Sequence, residues 1–389
     1  PLIDLWIVPQ NVSRADLGAI LPVVSGVNVL ALPLAIVVVP FSRWLAIYMK
    51  RRELGKVKAL LRTMLAGTAV AVALMGAFVW LCAPRALAAL HVSEAGFPTV
   101  LLLTGMLAAL APVFAASLQG LRKFGTVAGA GFLSAGARLA VSFVLIPIRT
   151  FGGYLLGVAA ACCVKMAVTV VGLRRELGSG VPARPFFKAD GREQFRYVIP
   201  LAVSLTIWNL VMSWQATVVR LNLSESESAA YFFITRFADV GQWAGLSLLF
   251  VAFPTIAAAE AEVQGCVLKR TLALTLLSGA AVAVGYGLFL GPLMRAVPLW
   301  HDYLPAVGLI ALYTFRYAMG VSVGAFMSCE QAAGNFRYLG YLVPCVIVES
   351  VALAFIHRLD VLLWWLTFTV AVQLVIVWAV VLRRGRALK

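Results

Sequence analysis

Six ionisable side chains stand inside long apolar runs of this sequence: Arg138, Lys165, Arg236 and Arg316 as cations, Asp239 and Glu349 as anions. A charge in hydrocarbon costs a few kcal/mol or more, so each of them asks for a partner or a task. Four cations against two carboxylates leave a net positive interior, suited to an anionic ligand. Arginine fits phosphate well, because its planar fork holds two oxygens at once and stays protonated. Arg138 is flanked by Gly136, Ala137 and Ala140. Such small neighbours let a long side chain reach inward, or let another helix pack closely. Its alternatives are contact with a ligand and a structural bond to a carbonyl or carboxylate. Lys165 stands about 12 Å from the nearer end of its span, which snorkelling covers only in part.

The remaining candidates fall on helical faces. Arg236 and Asp239 are three apart and hence neighbours, a spacing that also permits simple self-neutralisation. Arg316 shares a face with Tyr313 and Tyr317, whose rings could line a path for sugars or pack as core. Glu349, with Pro344 a turn earlier, is the best carboxylate for carrying a coupling ion, and a salt bridge to one of the arginines is its plain alternative. Thr206, Asn209, Ser213 and Thr217 recur at helical spacing. That stripe either lines a cavity or serves as interhelical glue.

The elements that must hold these residues are read from composition. Of 389 residues, 62% are hydrophobic and 12% charged. Soluble domains average roughly 45–50% and 25%, so lipid is the solvent for much of this chain. The net charge of +16 sits in short clusters between apolar runs, with no extended basic face for a nucleic acid. None of the six cysteines forms a C-x-x-C pair, and His91, His301 and His357 show no metal-ligand spacing. The expected spans are 17–41, 61–82, 97–119, 125–148, 151–173, 198–219, 228–254, 270–294, 303–327, 337–356 and 361–382. Leu2–Pro9, too short to cross, reads as the tail of a truncated first helix. Basic residues in alternate loops divide 22 to 6, which predicts that the rich side and both termini are cytoplasmic.

A connection at 174–197, with Gly178, Gly180, Pro182 and Pro185, divides the chain into an N-terminal lobe, 1–173, and a C-terminal lobe, 198–389. The lobes echo one another. Pro40, Gly67 and Pro84 in the first match Pro254, Gly279 and Pro292 in the second. An even helix count per lobe makes them parallel repeats about an axis along the membrane normal, with the substrate path between them. The fold class is all-α integral membrane, with two six-helix lobes.

NVSRADLGAILPVVS (11–25) and its counterpart LSESESAAYFFITRFADVGQWAGLSLLFVAFPTIAAA (223–259) carry a resemblance. In each, a polar turn leads into a helix; in the second, the helix contains a tyrosine and reaches a Phe-Pro pair. The sequence resembles the multidrug/oligosaccharidyl-lipid/polysaccharide (MOP) exporter superfamily, and within it the polysaccharide-biosynthesis flippases. Many relatives carry an acidic residue in the seventh helix, where this chain reads Ser213-Trp214-Gln215-Ala216-Thr217. The resemblance implies a lipid-linked oligosaccharide as cargo, carried by alternating access across a bacterial cytoplasmic membrane, with membrane lipids and polysaccharide polymerase machinery as partners. It implies a cationic cavity, to which Arg138, Lys165, Arg236 and Arg316 are assigned. No cofactor is expected beyond sodium or protons as coupling ions. The alternatives are a cation-coupled multidrug exporter, which would need carboxylates facing its cavity, and a peptidoglycan-precursor flippase. A membrane polymerase or ligase would need a sizeable outer loop and a catalytic constellation, and the sequence offers neither.

Overall fold

In hydrocarbon every backbone N–H and C=O must be satisfied within the protein, and a helix does this inside one segment. A computed structural model of the chain describes residues 3–12, 14–89, 97–121, 123–178, 182, 191–258, 261–332 and 334–387, and the regular elements among them are all helical. A π turn, Ile3–Ile7, leads into the short α1, Val8–Asn11. The others are α2, Arg14–Lys50; α3, Leu54–Ala89; α4, Phe97–Gly120; α5, Phe124–Leu177; and α6, Gly191–Asn222. Then follow α7, Glu225–Ala258; α8, Ala261–Ala296; a 3-10 stretch, Pro298–Ala306; α9, Val307–Ala332; α10, Leu339–Leu353; and α11, Leu359–Ala387. Eight segments among the described residues are long and apolar enough to cross a membrane. The expected span at 337–356 contracts to the 15 residues of α10, because turns occupy its flanks: Leu339 N–H bonds to Phe336 O, and Phe355 N–H to Ala352 O.

The chain forms two compact units, Pro22–Ser213 and Pro1–Leu21 with Trp214–Lys389. Residues 179–181 and 183–190 of the expected connection at 174–197 lie outside the described residues, and the contacts change unit within α6.

In the Pro22–Ser213 unit, α4 packs against α3 and α5. The 54 residues of α5 would extend about 81 Å if straight, far beyond a hydrocarbon core of roughly 30 Å. Instead the helix doubles back. Lys123 Nζ donates to Gly172 O at 2.8 Å, and Arg138 Nη2 to Tyr154 Oη at 2.9 Å. The two arms are the expected spans 125–148 and 151–173. They close tightly at a G-x-x-x-G pair: a Cβ on Gly153 would fall 2.3 Å from Leu145 O, and one on Gly157 would fall 2.0 Å from Ser142 Oγ.

In the other unit, α9 packs against α7, α8 and α11, and α10 lies on α11. Hydroxyls bridge α8 to α9 where Thr275 meets Ser322 at 2.9 Å, and Gly279 abuts Ala318 beside them. The N-terminus of α7 carries a reciprocal capping box. Ser224 N–H donates to Glu227 Oε2 at 3.1 Å, and Glu227 N–H donates to Ser224 Oγ at 3.3 Å.

Candidate functional site

A buried polar cluster crosses the helices of the C-terminal unit. Arg316 on α9, Glu349 on α10 and Gln215 on α6 are 4%, 2% and 3% exposed. α6 is held beside α10 by Trp214, whose Nε1 donates to Ser350 O at 2.9 Å. The Gln215 amide lies between the two charges: its Nε2 donates to Glu349 Oε1 at 2.5 Å, and its Oε1 accepts from Arg316 Nη2 at 3.1 Å. Arg316 Nη2 stands 4.0 Å from Glu349 Oε1. The second carboxylate oxygen accepts from Thr369 Oγ1 at 3.0 Å and from Gln373 Nε2 at 3.3 Å, two residues one turn apart on α11.

Aromatic residues complete the surroundings of the guanidinium. It lies 5.0 Å from the Tyr313 ring centre and 5.5 Å from that of Tyr317, and its Nη1 donates to Tyr313 Oη at 3.3 Å. The Tyr313 hydroxyl also meets that of Tyr231 at 2.8 Å. Chemically this is an assembly of one cation, one anion and their hydrogen-bonding neighbours, in which Arg316 Nε has no hydrogen-bond partner among the described residues. Arg316, expected to meet a ligand, has Glu349, Gln215 and Tyr313 around its two terminal nitrogens, the salt-bridge alternative the sequence left open for Glu349. Tyr313, 1% exposed, packs in the core of this unit, the packing alternative the sequence left open for it. Tyr317 is half-buried against it.

Arg236 and Asp239 form the ion pair their spacing suggested, at 2.7 Å, with the guanidinium also over the Phe232 ring. Of the α6 stripe, Asn209 Nδ2 donates to Leu205 O one turn back on its own helix, at 2.8 Å. Ser213 Oγ donates to Ser25 O on α2 at 3.3 Å, an interhelical contact. Thr217 is half-buried.

The other cations belong to the two arms of α5. Arg138, half-buried, donates to the Tyr154 hydroxyl and lies 5.1 Å from the centre of that ring. Lys165 is half-buried on the returning arm, and Cys162 lies within electrostatic reach of both charges. The expected spans between Pro22 and Ser213 contain Arg138 and Lys165 and no Asp or Glu. In the C-terminal unit, carboxylates stand beside both span arginines.

Sequence reasoning did not single out Gln215, Thr369, Gln373, Tyr154 or Tyr231 as partners. The polar pair Thr369 and Gln373 at helical spacing in an otherwise apolar span was the available signal.

No family model matches the chain, and no curated protein matches its sequence. Solved structures do match. One is the inward-facing conformation of a multidrug resistance MATE family transporter of the MOP superfamily, with TM-score 0.68 and 15% identity over 99% of this chain and 98% of that one. The outward-facing conformation of a MATE family transporter of the MOP superfamily gives TM-score 0.74 and 15% identity, covering 100% and 92%. A MOP superfamily transporter from Pyrococcus furiosus, described as having a binding pocket of reverse polarity, gives TM-score 0.69 and 16% identity, covering 99% and 90%. The chain thus has the all-helical fold of MOP-superfamily transporters.

Proposed function

We propose that this protein is an alternating-access transporter that flips a lipid-linked oligosaccharide repeat unit across a bacterial cytoplasmic membrane, with both termini in the cytoplasm. One observation carries the reading. The spans of the Pro22–Ser213 unit bring Arg138 and Lys165 into the membrane with no carboxylate among them, whereas Arg236 and Arg316 are matched by Asp239 and Glu349. Within the expected spans of the Pro22–Ser213 unit, Arg138 and Lys165 on α5 are charge without an acidic residue in the same spans, and a pyrophosphate-linked headgroup is the anionic cargo such charge would attract. Arg138 and Lys165 supply the attraction, while Glu349 offsets the charge of Arg316 in the other unit. The reverse-polarity pocket described for the Pyrococcus furiosus transporter, said to suggest a different function, is a precedent for a change of function on this fold. The polysaccharide polymerase machinery would receive the product.

The second reading is a multidrug exporter, favoured by the multidrug MATE transporters that share the fold. Deleting the gene separates the two. Lipid-linked repeat units are expected to build up on the cytoplasmic leaflet with drug sensitivity unchanged. Altered drug sensitivity without that build-up would put the exporter first, and build-up of a peptidoglycan precursor would reassign the cargo.

A further inference from the structure

One end of the Pro22–Ser213 unit is a ring of helix termini tied by a shared apolar cluster. Leu45 and Tyr48 come from α2, Leu60 and Leu61 from α3, Leu118 from α4 and Leu173 from α5. Basic residues surround this cluster. Three of them have structural partners: Lys56 is paired with Glu53 at 2.8 Å, Lys58 is 8% exposed, and Lys123 donates to Gly172 O. Four others, Arg51, Arg52, Arg62 and Arg174, are exposed.

The turn between α2 and α3 gives Arg52 particular meaning. Glu53 N–H bonds to Tyr48 O and Arg52 N–H to Met49 O, the pair of bonds that closes a Schellman motif. Arg52 is its left-handed residue, at φ 58°. Glycine takes that conformation without steric penalty, and any other side chain is strained there. The end of α9 closes with the same two bonds, Asn335 N–H to Glu330 O and Gly334 N–H to Gln331 O, and there the left-handed residue is Gly334, at φ 74°. The same motif thus uses glycine at one helix end and an exposed arginine at the other. The left-handed residue of the α2–α3 turn is thus an exposed cation.

We infer that Arg51, Arg52, Arg62 and Arg174 form a docking surface for the headgroups of anionic phospholipids. Charge complementarity selects the occupant, since clusters of four or more basic residues beside spanning helices attract anionic headgroups. The inference is independent of the cargo proposed above.

The test titrates the full chain in detergent with phosphatidylglycerol or phosphatidylcholine and counts bound lipid by native mass spectrometry. Phosphatidylglycerol should bind preferentially, and each of Arg51→Ala, Arg62→Ala and Arg174→Ala should weaken it about fivefold. Arg52→Gly is the decisive variant, because it should weaken phosphatidylglycerol binding while raising the Tm through relief of the turn. Equal binding of the two lipids, or unchanged phosphatidylglycerol affinity in Arg52→Gly, would overturn the inference.

Discussion

Arg316 and Arg236 answer the cost of a charge in hydrocarbon with a carboxylate, whereas Arg138 is held by a phenol. That difference decides what substitution does. Arg316→Ala leaves Glu349 buried without its cation, and removing one partner of a buried pair costs about 3–5 kcal/mol. The variant should be lost from the folded fraction in a detergent thermal-unfolding assay, and Arg316→Gln with Glu349→Gln should recover most of the loss. Arg316→Ala therefore reports on folding more than on transport. The sequence showed both charges and offered a salt bridge for Glu349, but it could not show that Gln215, 134 residues from Glu349, stands between them. Pairing across helices depends on their rotation and depth, which composition leaves open. Arg236 with Asp239 was legible because both lie on one turn of one helix.

Helix ends and crossings carry their own predictions. At the start of α7, burial raises the Glu227 carboxyl, but hydrogen bonds from Ser224 and from the Leu359 backbone N–H outweigh it and hold it below the ordinary carboxylate range. A lowered folded-state value means stability present above the ordinary glutamate pKa and lost as pH falls through the lowered one. Ser224→Ala should cost about 1 kcal/mol by thermal unfolding at neutral pH, and the deficit should shrink in acid. Where the arms of α5 meet, Gly153→Ala drives a methyl into Leu145 O and should cost about 1–3 kcal/mol in the same measurement. Both arms were readable as apolar runs of spanning length. The closeness of their contact was not, since Gly153 and Gly157 announce small size without naming the surface they meet.

At the scale of the molecule, hydropathy gave the all-helical class because lipid permits few alternatives, and eight of the expected spans recur as crossing-length segments among the described residues. Two parallel lobes were read from a weak internal repeat, and the likeness to MOP-superfamily transporters bears out the class of fold. Cargo is a subtler property than fold, and one transporter of this fold is described as having a binding pocket of reverse polarity. The charge proposed to select the cargo is that of Arg138 and Lys165 on α5. Its most direct test is flipping of a pyrophosphate-linked oligosaccharide lipid in proteoliposomes, measured for the unaltered protein and for Arg138→Gln with Lys165→Gln. The unaltered protein should expose the lipid to an external glycan-binding probe, and the double variant, folded with unchanged Tm, should do so at least tenfold more slowly. Equal rates from a folded double variant would contradict the central claim.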